Sequence, residues 1–354
     1  MITIEKDFVK NESLESNWNE LFNNSVETTI FQSYSFNKIV WDKLKGKGEL
    51  YIILVSHNNT KKYLALFPCF IKKRCLRFIN ESDSDFCGPL FRRGYEHNYS
   101  LNEEIAGFFQ SSKDFNRIVF SNMTPQTSIL TSFRPFLKES VSYPMNYYSF
   151  FQIEQYETGI SYIDRIDQIG NAKDRNRLKK LDNKVRDLHL EIIKKSESKE
   201  YPERIVSSLV RTMIQNGIRT NAYFNHQFLS VFKELYDNNL ILIAVTWKGS
   251  DPVSLSLSLT NSKNEIIQWI ALYKEKQYNI YNIMQLVKYL YETGGNVRFN
   301  FARGIYEYKL RNFRPVLKSL YCLRYSKSIY NQVKDVLACT VMQAKPLLKS
   351  IFRR

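Results

Sequence analysis

The sequence predicts an α/β protein made of two halves that repeat one order of helices and strands. Its 354 residues are roughly twice the usual size of a domain. Alternating apolar runs of strand length stand beside segments whose apolar residues recur at helical spacing, and this succession occurs twice. Because 44% of the residues are hydrophobic, each half can bury a core. We expect domains at 1–150 and 151–330 and a basic amphipathic tail at 331–354.

The first half is predicted to begin with a helix and to continue as strands. Apolar residues recur at helical spacing between Thr28 and Leu44. The apolar runs Glu49–Ser56 and Lys62–Lys72 flank the polar cluster HNNTK, which predicts a hairpin. A strand, a helix and a last strand complete this half, at Leu76–Ile79, Leu101–Gln110 and Arg117–Ser121.

The segment between the halves is strongly basic. From Lys173 to Lys195 it holds nine Lys or Arg residues against four Asp or Glu, which predicts a basic helix. Three interpretations stay open: a solvated helix face, a clamp for phosphate groups, or a docking surface for tRNA or an anionic membrane. The net charge of +16 and the pI near 9.4 favour a polyanionic partner without identifying it.

The second half repeats the pattern of the first. A helix at Pro202–Asn216 is followed by three apolar runs separated by turn residues, which predict three antiparallel strands. These strands lie at Asn239–Trp247, Pro252–Thr260 and Glu265–Tyr273. A helix at Ile280–Thr293, with Gly295 as its C-cap, leads to the strand Val297–Ala302. The shared order indicates a structural duplication, which predicts equal strand orders in the two halves.

Several classes of protein are disfavoured by the sequence. No apolar stretch is long enough for a membrane span or a signal peptide, so we expect a cytoplasmic protein. The five cysteines form no CxxC pair and sit among apolar neighbours, which predicts free, partly buried thiols. The four histidines lie far apart, so we predict no metal site.

Four segments carry a family resemblance. They are FQSYSFNKIVW (31–41), SDSDFCGPLF (82–91), NAKDRNRLKKLDNKVRDL (171–188) and GNVRFNFARGIYEYKLRNF (295–313). In this order they resemble GNAT-superfamily acyltransferases of the CelD type, a polysaccharide biosynthesis family similar to the Fem-type aminoacyl transferases. The order of three antiparallel strands, a helix and a final strand is also that of the GNAT core. The resemblance implies two GNAT-like halves in tandem, with the donor site in the second.

The resemblance implies a reaction in which an amine attacks an acyl-CoA thioester without a covalent enzyme intermediate. It places Lys309 near the acyl-transfer centre. Asp85 and Glu307 are candidate proton acceptors, since an apolar cleft can raise the pKa of a carboxylate. The expected substrate-binding residues are Tyr308, Arg303, Gln32, Arg175 and Arg177.

The same resemblance locates the acyl donor. A backbone N–H near Leu272 would face the thioester carbonyl. A helix would begin near Asn279, and its first amides, at Asn279, Ile280 and Tyr281, would face the pyrophosphate. The usual glycine-rich phosphate loop is absent, and Lys274 stands there as a source of positive charge. Asn300 replaces an aspartate that is common in the family, which removes one charge.

Three functions follow as hypotheses. The first is N-acyl transfer from acyl-CoA, such as acetyl-CoA, to an amino group of a nucleotide- or lipid-linked saccharide in cell-envelope synthesis. The second is aminoacyl transfer from tRNA, as in Fem-type enzymes. The third is a non-catalytic scaffold in a polysaccharide assembly complex. Amphipathic residues from Val333 to Arg354 are compatible with peripheral contact with an anionic membrane, although Pro346 is expected to break a single long helix.

Overall fold

The computed structural model describes residues 1–9, 11–26, 28–44, 48–79, 81–127, 129–153, 172–197, 199–260, 264–293, 297–313 and 315–351. Two compact units divide the chain, the first formed by Met1–Tyr147 with Lys318–Arg354 and the second by Tyr148–Leu317. The C-terminal residues therefore belong to the same unit as the N-terminal residues. The expected domain at 151–330 stays a prediction, but its last residues lie in the first unit.

The strands are numbered along the chain. They are β1 Ile2–Glu5, β2 Glu49–Ser56, β3 Tyr63–Lys72, β4 Cys75–Phe78, β5 Leu90–Phe91, β6 Arg117–Met123, β7 Val141–Ile153, β8 His189–Ile193, β9 Ile241–Lys248, β10 Asp251–Thr260, β11 Glu265–Tyr273, β12 Val297–Arg303 and β13 Val316–Ser326.

The α-helices are numbered in the same way. They are α1 Leu14–Asn24, α2 Tyr34–Leu44, α3 Tyr99–Ser111, α4 Ala172–Val185, α5 Glu203–Gln215, α6 His226–Asp237, α7 Lys276–Thr293, α8 Glu307–Phe313 and α9 Ile329–Ile351.

In the first unit the strand order is β1-β2-β3-β4-β6-β13. Neighbouring strands are antiparallel except β4 and β6, which are parallel and are connected through α3. Strand β2 is buried on both faces, because Ile53 packs in the cluster that includes α3, whereas Ile52 packs with Trp18 of α1. The unit is therefore a sheet between two helical layers.

The second unit has the same strand order in the same directions. Its strands run β8-β9-β10-β11-β12-β7, and only β11 and β12 are parallel, connected through α7. Helix α7 packs on one face through Ile283 and Leu286. On the other face the Trp269 ring lies 5.7 Å from that of Phe232 in α6. The two strand orders agree with the predicted duplication, and the tandem α/β fold class is confirmed.

The last strand of each unit comes from an unexpected part of the chain. Strand β7 follows the first unit's β6 in sequence, yet its residues 148–153 pair with β12 of the second unit. Strand β13 follows the second unit's β12, yet it pairs with β6 of the first unit. The two units have thus exchanged their final strands. The sequence analysis did not predict either strand.

Four predicted helices differ from the structure. The helix predicted at Ile280–Thr293, with its start near Asn279, begins at Lys276, so the amides of Ile280 and Tyr281 lie inside α7. The basic segment 173–195 is helical only to Val185, and its residues 189–193 form the edge strand β8, because His189–Ile193 is rich in β-branched and apolar residues. The helix expected at Thr28 begins at Tyr34, after a 3₁₀ turn at Ile30–Gln32. Helix α9 continues through Pro346, so the expected break is wrong: a proline removes one backbone donor without ending this helix. Gly295 lies outside the described residues.

Candidate functional site

The second unit has an opening between two parallel strands. β11 and β12 pair only at Glu265–Ile267 with Arg298–Asn300. In the described part of the chain, the rest of β11 has no register with the rest of β12. The strands therefore diverge toward Tyr273 and Arg303, and the expected donor site lies at this divergence.

The backbone of β11 directs specific amides to the open side. Lys274 N–H donates to the Val253 carbonyl at 3.0 Å, which makes residues 274 and 253 a hydrogen-bonded pair. Hydrogen-bonded and non-bonded pairs alternate in antiparallel strands, so Leu272 bonds to β10 while Ala271 and Tyr273 direct their N–H groups toward β12. The amide predicted near Leu272 is thus best assigned to Tyr273; the Leu272 side chain is fully buried.

The N-terminus of α7 follows the end of β11 closely. Its Asn279 is buried, hydrogen-bonds to the Tyr308 hydroxyl, and has an Oδ1 atom with no hydrogen-bond partner among the described residues. Tyr281 is buried and Ile280 packs on the core. The Lys274 ammonium lies 2.5 and 2.7 Å from the two carboxylate oxygens of Asp251, so its charge is already paired.

Lys309 lies in the short helix α8, immediately after the turn that ends β12. It is 4% exposed, and its ammonium donates to the Phe301 carbonyl at 2.7 Å. The ammonium also lies 4.8 Å from the centre of the Tyr306 ring. Gly304 has φ +104°, and a Cβ at this position would lie 2.7 Å from that ring. The glycine therefore allows the turn that brings Tyr306 beside Lys309.

The neighbours of Lys309 have different environments. Burial raises the pKa of Tyr308 to about 12, with the nearby Tyr306 and Tyr273 adding to the rise and the Asn279 hydrogen bond opposing it. Tyr308 is therefore a neutral hydrogen-bonding group at neutral pH. Glu307 is exposed and pairs with Arg311 at 2.5 Å. Its carboxylate therefore does not lie in the apolar cleft that was expected around it. Arg303 is half-buried at the end of β12.

The basic helix α4 contacts α8. The Arg177 guanidinium donates to the Arg311 carbonyl in the last turn of α8. Asp182 of α4 lies 3.5 Å from the Lys288 ammonium of α7. Arg177 thus has a partner within the protein, whereas the side chain of Arg175 lies outside the described residues. Of the predicted residues, Tyr308 and Lys309 are neighbours in α8, and Tyr308 lies beside Asn279 of α7. Arg177 contacts α8.

Gln32 and Asp85 belong to the first unit. The Phe31 and Phe86 rings pack 5.9 Å apart, and the Gln32 amide donates to the Pro89 carbonyl at 3.1 Å, so the first two family segments contact each other. Gln32 also lines a pocket of about 330 Å³ with His97 and Thr127. Asp85 is half-buried in the neighbouring loop. The roles of both stay predictions.

Polar residues that the sequence analysis missed lie under α7. Asn282 donates to the Ala244 carbonyl and to the Thr246 hydroxyl, both at 2.9 Å. Thr246 in turn donates to Gln285 at 3.2 Å. Thr246 lies in β9 and its partners lie in α7, about forty positions later in the sequence. In the sequence of α7, Asn282 and Gln285 are simply polar residues among apolar ones. No local pattern could have grouped them.

A buried carboxylate occupies the other end of β11. Glu265 is 7% exposed, accepts a hydrogen bond from the Asn300 amide at 3.1 Å and lies 3.7 Å from the Arg298 guanidinium. Burial raises its pKa, while Asn300 and Arg298 oppose the rise. The Asn300 Oδ1 atom accepts from Ala302 N–H at 2.9 Å. The Asn300 side chain therefore donates one hydrogen bond and accepts another. This explains why the aspartate that is common in the family is not needed here.

Asn300→Asp is expected to destabilise the protein at pH 7 and much less near pH 4. The change removes the donor to Glu265 and places two carboxylates together, which raises both pKa values in the folded state. A raised carboxylate pKa costs stability above the folded pKa, and that cost disappears as the pH falls toward the unfolded value. Urea unfolding at several pH values measures the difference. Asn59→Asp in an exposed turn is the control, and an equal, pH-independent effect of both changes would contradict this account.

The described residues contain no group of three His, Cys, Asp or Glu side chains able to hold a metal ion. None of their helices is long and apolar enough to span a bilayer. None of the five cysteines, all of which the structure describes, forms a disulfide. Cys339 is half-buried and the other four are buried, and burial raises the pKa of the Cys69 thiol.

Comparison with known proteins defines the fold. No protein-family model and no curated protein matches the sequence. Among solved structures, L-PGS from Bacillus licheniformis is 12% identical with a TM-score of 0.57, covering 94% of this chain and 98% of that one. The C-terminal domain of a protein named as a lysylphosphatidylglycerol synthetase, from Agrobacterium fabrum, is 11% identical (TM-score 0.55, 92% and 95% covered).

A conserved protein of unknown function from Bacteroides thetaiotaomicron is 10% identical with a TM-score of 0.56, covering 92% of this chain and all of that one. Identity at this level shows a shared fold. Together with the repeated strand order, it defines the fold class: two α/β units in tandem, each with the strand order expected for the GNAT core.

Proposed function

We propose that the protein is an acyl-transfer enzyme whose reaction centre lies in the second unit, where β11 and β12 diverge. The preferred donor is acyl-CoA, and the acceptor is an amino group of a saccharide or lipid-linked saccharide. The observation that carries this proposal is the buried Lys309, whose ammonium lies beside Tyr306, and the Tyr306 ring in turn stacks on Tyr308. A charged group is costly to bury, so its retention beside an open strand end favours a chemical role.

The donor side of the proposal rests on backbone groups. The Tyr273 N–H is directed into the opening, where it can donate to an acyl carbonyl. The N-terminal amides of α7 face the same end of the sheet and favour an anion such as pyrophosphate. The buried Asn279 Oδ1 atom can accept from an amide N–H of the donor.

Lys309 is proposed to stabilise the oxyanion that forms when the amine attacks. One of its N–H bonds is used by the Phe301 carbonyl, which fixes the ammonium without neutralising its charge. A preorganised positive charge in a water-poor site stabilises developing negative charge strongly. Tyr308 stays protonated and can orient a substrate. Glu307 is the proposed proton acceptor of this centre, after its carboxylate separates from Arg311. Asp85 lies in the first unit and is not assigned to this centre.

Aminoacyl transfer from tRNA is the second candidate function. It is favoured by the pairing of Lys274 with Asp251, since this lysine then offers no free charge to the phosphates of coenzyme A. The fold shared with proteins named for lysylphosphatidylglycerol synthesis also suits an aminoacyl donor and a lipid acceptor. The exposed basic residues of α4 could contact RNA.

The two functions are separated by a donor experiment. Purified protein is incubated with acetyl-CoA and a panel of amino sugars, free or nucleotide-linked, and release of the free thiol is measured. Parallel reactions contain lysyl-tRNA and phosphatidylglycerol vesicles, and lysyl transfer is measured. Thiol release that depends on the acceptor supports the first function, and lysyl transfer alone supports the second. A folded protein that is inactive with both donors would contradict the proposal.

A further inference from the structure

Helix α9 presents a continuous apolar stripe to solvent. Six large hydrophobic residues on it are between 49% and 76% exposed: Ile329, Tyr330, Val333, Val336, Leu337 and Val341. At about 100° per residue they fall within an arc of about 140° on one face of the helix. A contiguous exposed apolar surface of this kind is unusual and indicates an interaction site.

The opposite face of α9 fixes the helix to the first unit. Asp335 is 2% exposed and bonds to the guanidinium groups of Arg117 in β6 and Arg324 in β13. Cys339 and Met342 pack on the cluster around Tyr143 and Cys322. The inward face is thus ion-paired and packed, so the apolar stripe is held outward by the fold.

The charge of residues 329–354 indicates which kind of partner the apolar stripe binds. Residues 329–354 contain five Lys or Arg and one acidic residue, Asp335, whose carboxylate faces inward. Lys334 lies beside the stripe, with its ammonium 4.2 Å from the Tyr330 ring centre. A second copy of a chain with charge +16 would bring two basic helices together, which is repulsive. An anionic lipid surface complements both the charge and the apolar stripe.

We propose that α9 is a membrane-docking helix that lies in the interface of an anionic bilayer. Its apolar stripe enters the headgroup region, while the Lys334 ammonium beside the stripe contacts lipid phosphates. This surface is separate from the acyl-transfer site proposed above and does not depend on it. Binding would nevertheless hold the enzyme at the surface where a lipid-linked acceptor resides.

Vesicle flotation with the full chain tests this proposal. We expect binding to vesicles of phosphatidylcholine containing phosphatidylglycerol, little binding to phosphatidylcholine alone, and partial loss at high salt. Val333→Ser with Leu337→Ser should lower the partition coefficient by about tenfold, since two apolar side chains no longer enter the interface. Val9→Ser is the matched control, because Val9 is 75% exposed but lies outside α9.

Three results would overturn the proposal. The wild-type chain could fail to bind anionic vesicles, or the double variant could bind as tightly as the wild type. The chain could instead form a dimer without vesicles that the double variant abolishes, which would assign the stripe to a second copy. Thermal unfolding of all variants verifies that the exposed substitutions leave the fold intact. Activity with soluble substrates is measured in parallel, so that failure of the proposed function is recorded separately.

Discussion

Lys309→Met is expected to lower kcat/KM for acyl transfer by about 100- to 1000-fold, the usual effect of removing one preorganised group that stabilises an oxyanion. The ammonium is 4% exposed and is held by the Phe301 carbonyl. Methionine fills nearly the same space without a charge, so the protein should remain folded, although the Phe301 carbonyl loses its donor. The rate of thiol release or aminoacyl transfer, whichever donor is active, measures the effect.

Two further variants separate chemistry from structure. Lys309→Arg keeps a positive charge with altered geometry, and we expect an intermediate loss of activity. Lys233→Met removes an exposed lysine that pairs with Asp237 in α6, and its activity should equal that of the wild type. A folded Lys309→Met protein with full activity would contradict the catalytic role. Full biological activity of that variant without any transferase activity would favour the scaffold hypothesis.

Asp335→Ala is expected to lower the free energy of unfolding by about 3–5 kcal/mol, because it leaves two partly buried guanidinium groups without their counter-ion. Arg324 Nη1 lies 3.0 Å from Asp335 Oδ1, and Arg117 binds the same oxygen. Burial lowers the pKa of the Arg324 guanidinium, but the hydrogen bond to Asp335 outweighs this together with the contacts to Cys322, so the carboxylate compensates a charged group. Urea unfolding measures the loss.

The control for Asp335 is a carboxylate in an exposed pair. Asp42 lies 3.0 Å from Lys38 one helical turn away and is half-exposed, so Asp42→Ala should cost less than about 0.5 kcal/mol. If the two variants were equally stable, Asp335 would not fix α9 to the sheet. Asp335→Asn should fall between them, since it keeps a hydrogen-bonding group but loses the charge.

Local pattern predicted the parts of the fold that depend on neighbouring residues. The alternation in Asp251–Thr260 identified a central strand, and turn residues on either side identified its hairpins. The helices that connect the parallel strands, α3 and α7, were predicted from apolar residues that recur at helical spacing. The final strands of the units were missed, because Val141–Ile153 and Val316–Ser326 pair with strands more than a hundred positions away in sequence. Val141–Ile153 is rich in Tyr and Phe, which is typical of strands, but no local pattern shows which unit either strand joins.

The candidate site was predicted only in part. The family segment at residues 295–313 contains Lys309 and Tyr308, and the structure places Tyr308 beside Asn279 and Lys309 beside Tyr306. The role of Lys274 in phosphate binding rested on its charge alone, and its pairing with Asp251 depends on the turn geometry between β10 and β11. Tyr306 was missed, because its position beside Lys309 follows from the left-handed backbone at Gly304. Such contacts are set by tertiary structure.

Hydrogen exchange of the full chain, with and without donor, tests the central claim most directly. The site assigned to the second unit predicts slower exchange in peptides that cover Ala271–Tyr273, the first turns of α7, and α8 when coenzyme A or an aminoacyl-tRNA analogue is added. Lys309→Met should retain most of this protection, because its proposed role lies in the transition state. Protection confined to the first unit, or absent with both donors, would contradict the assignment.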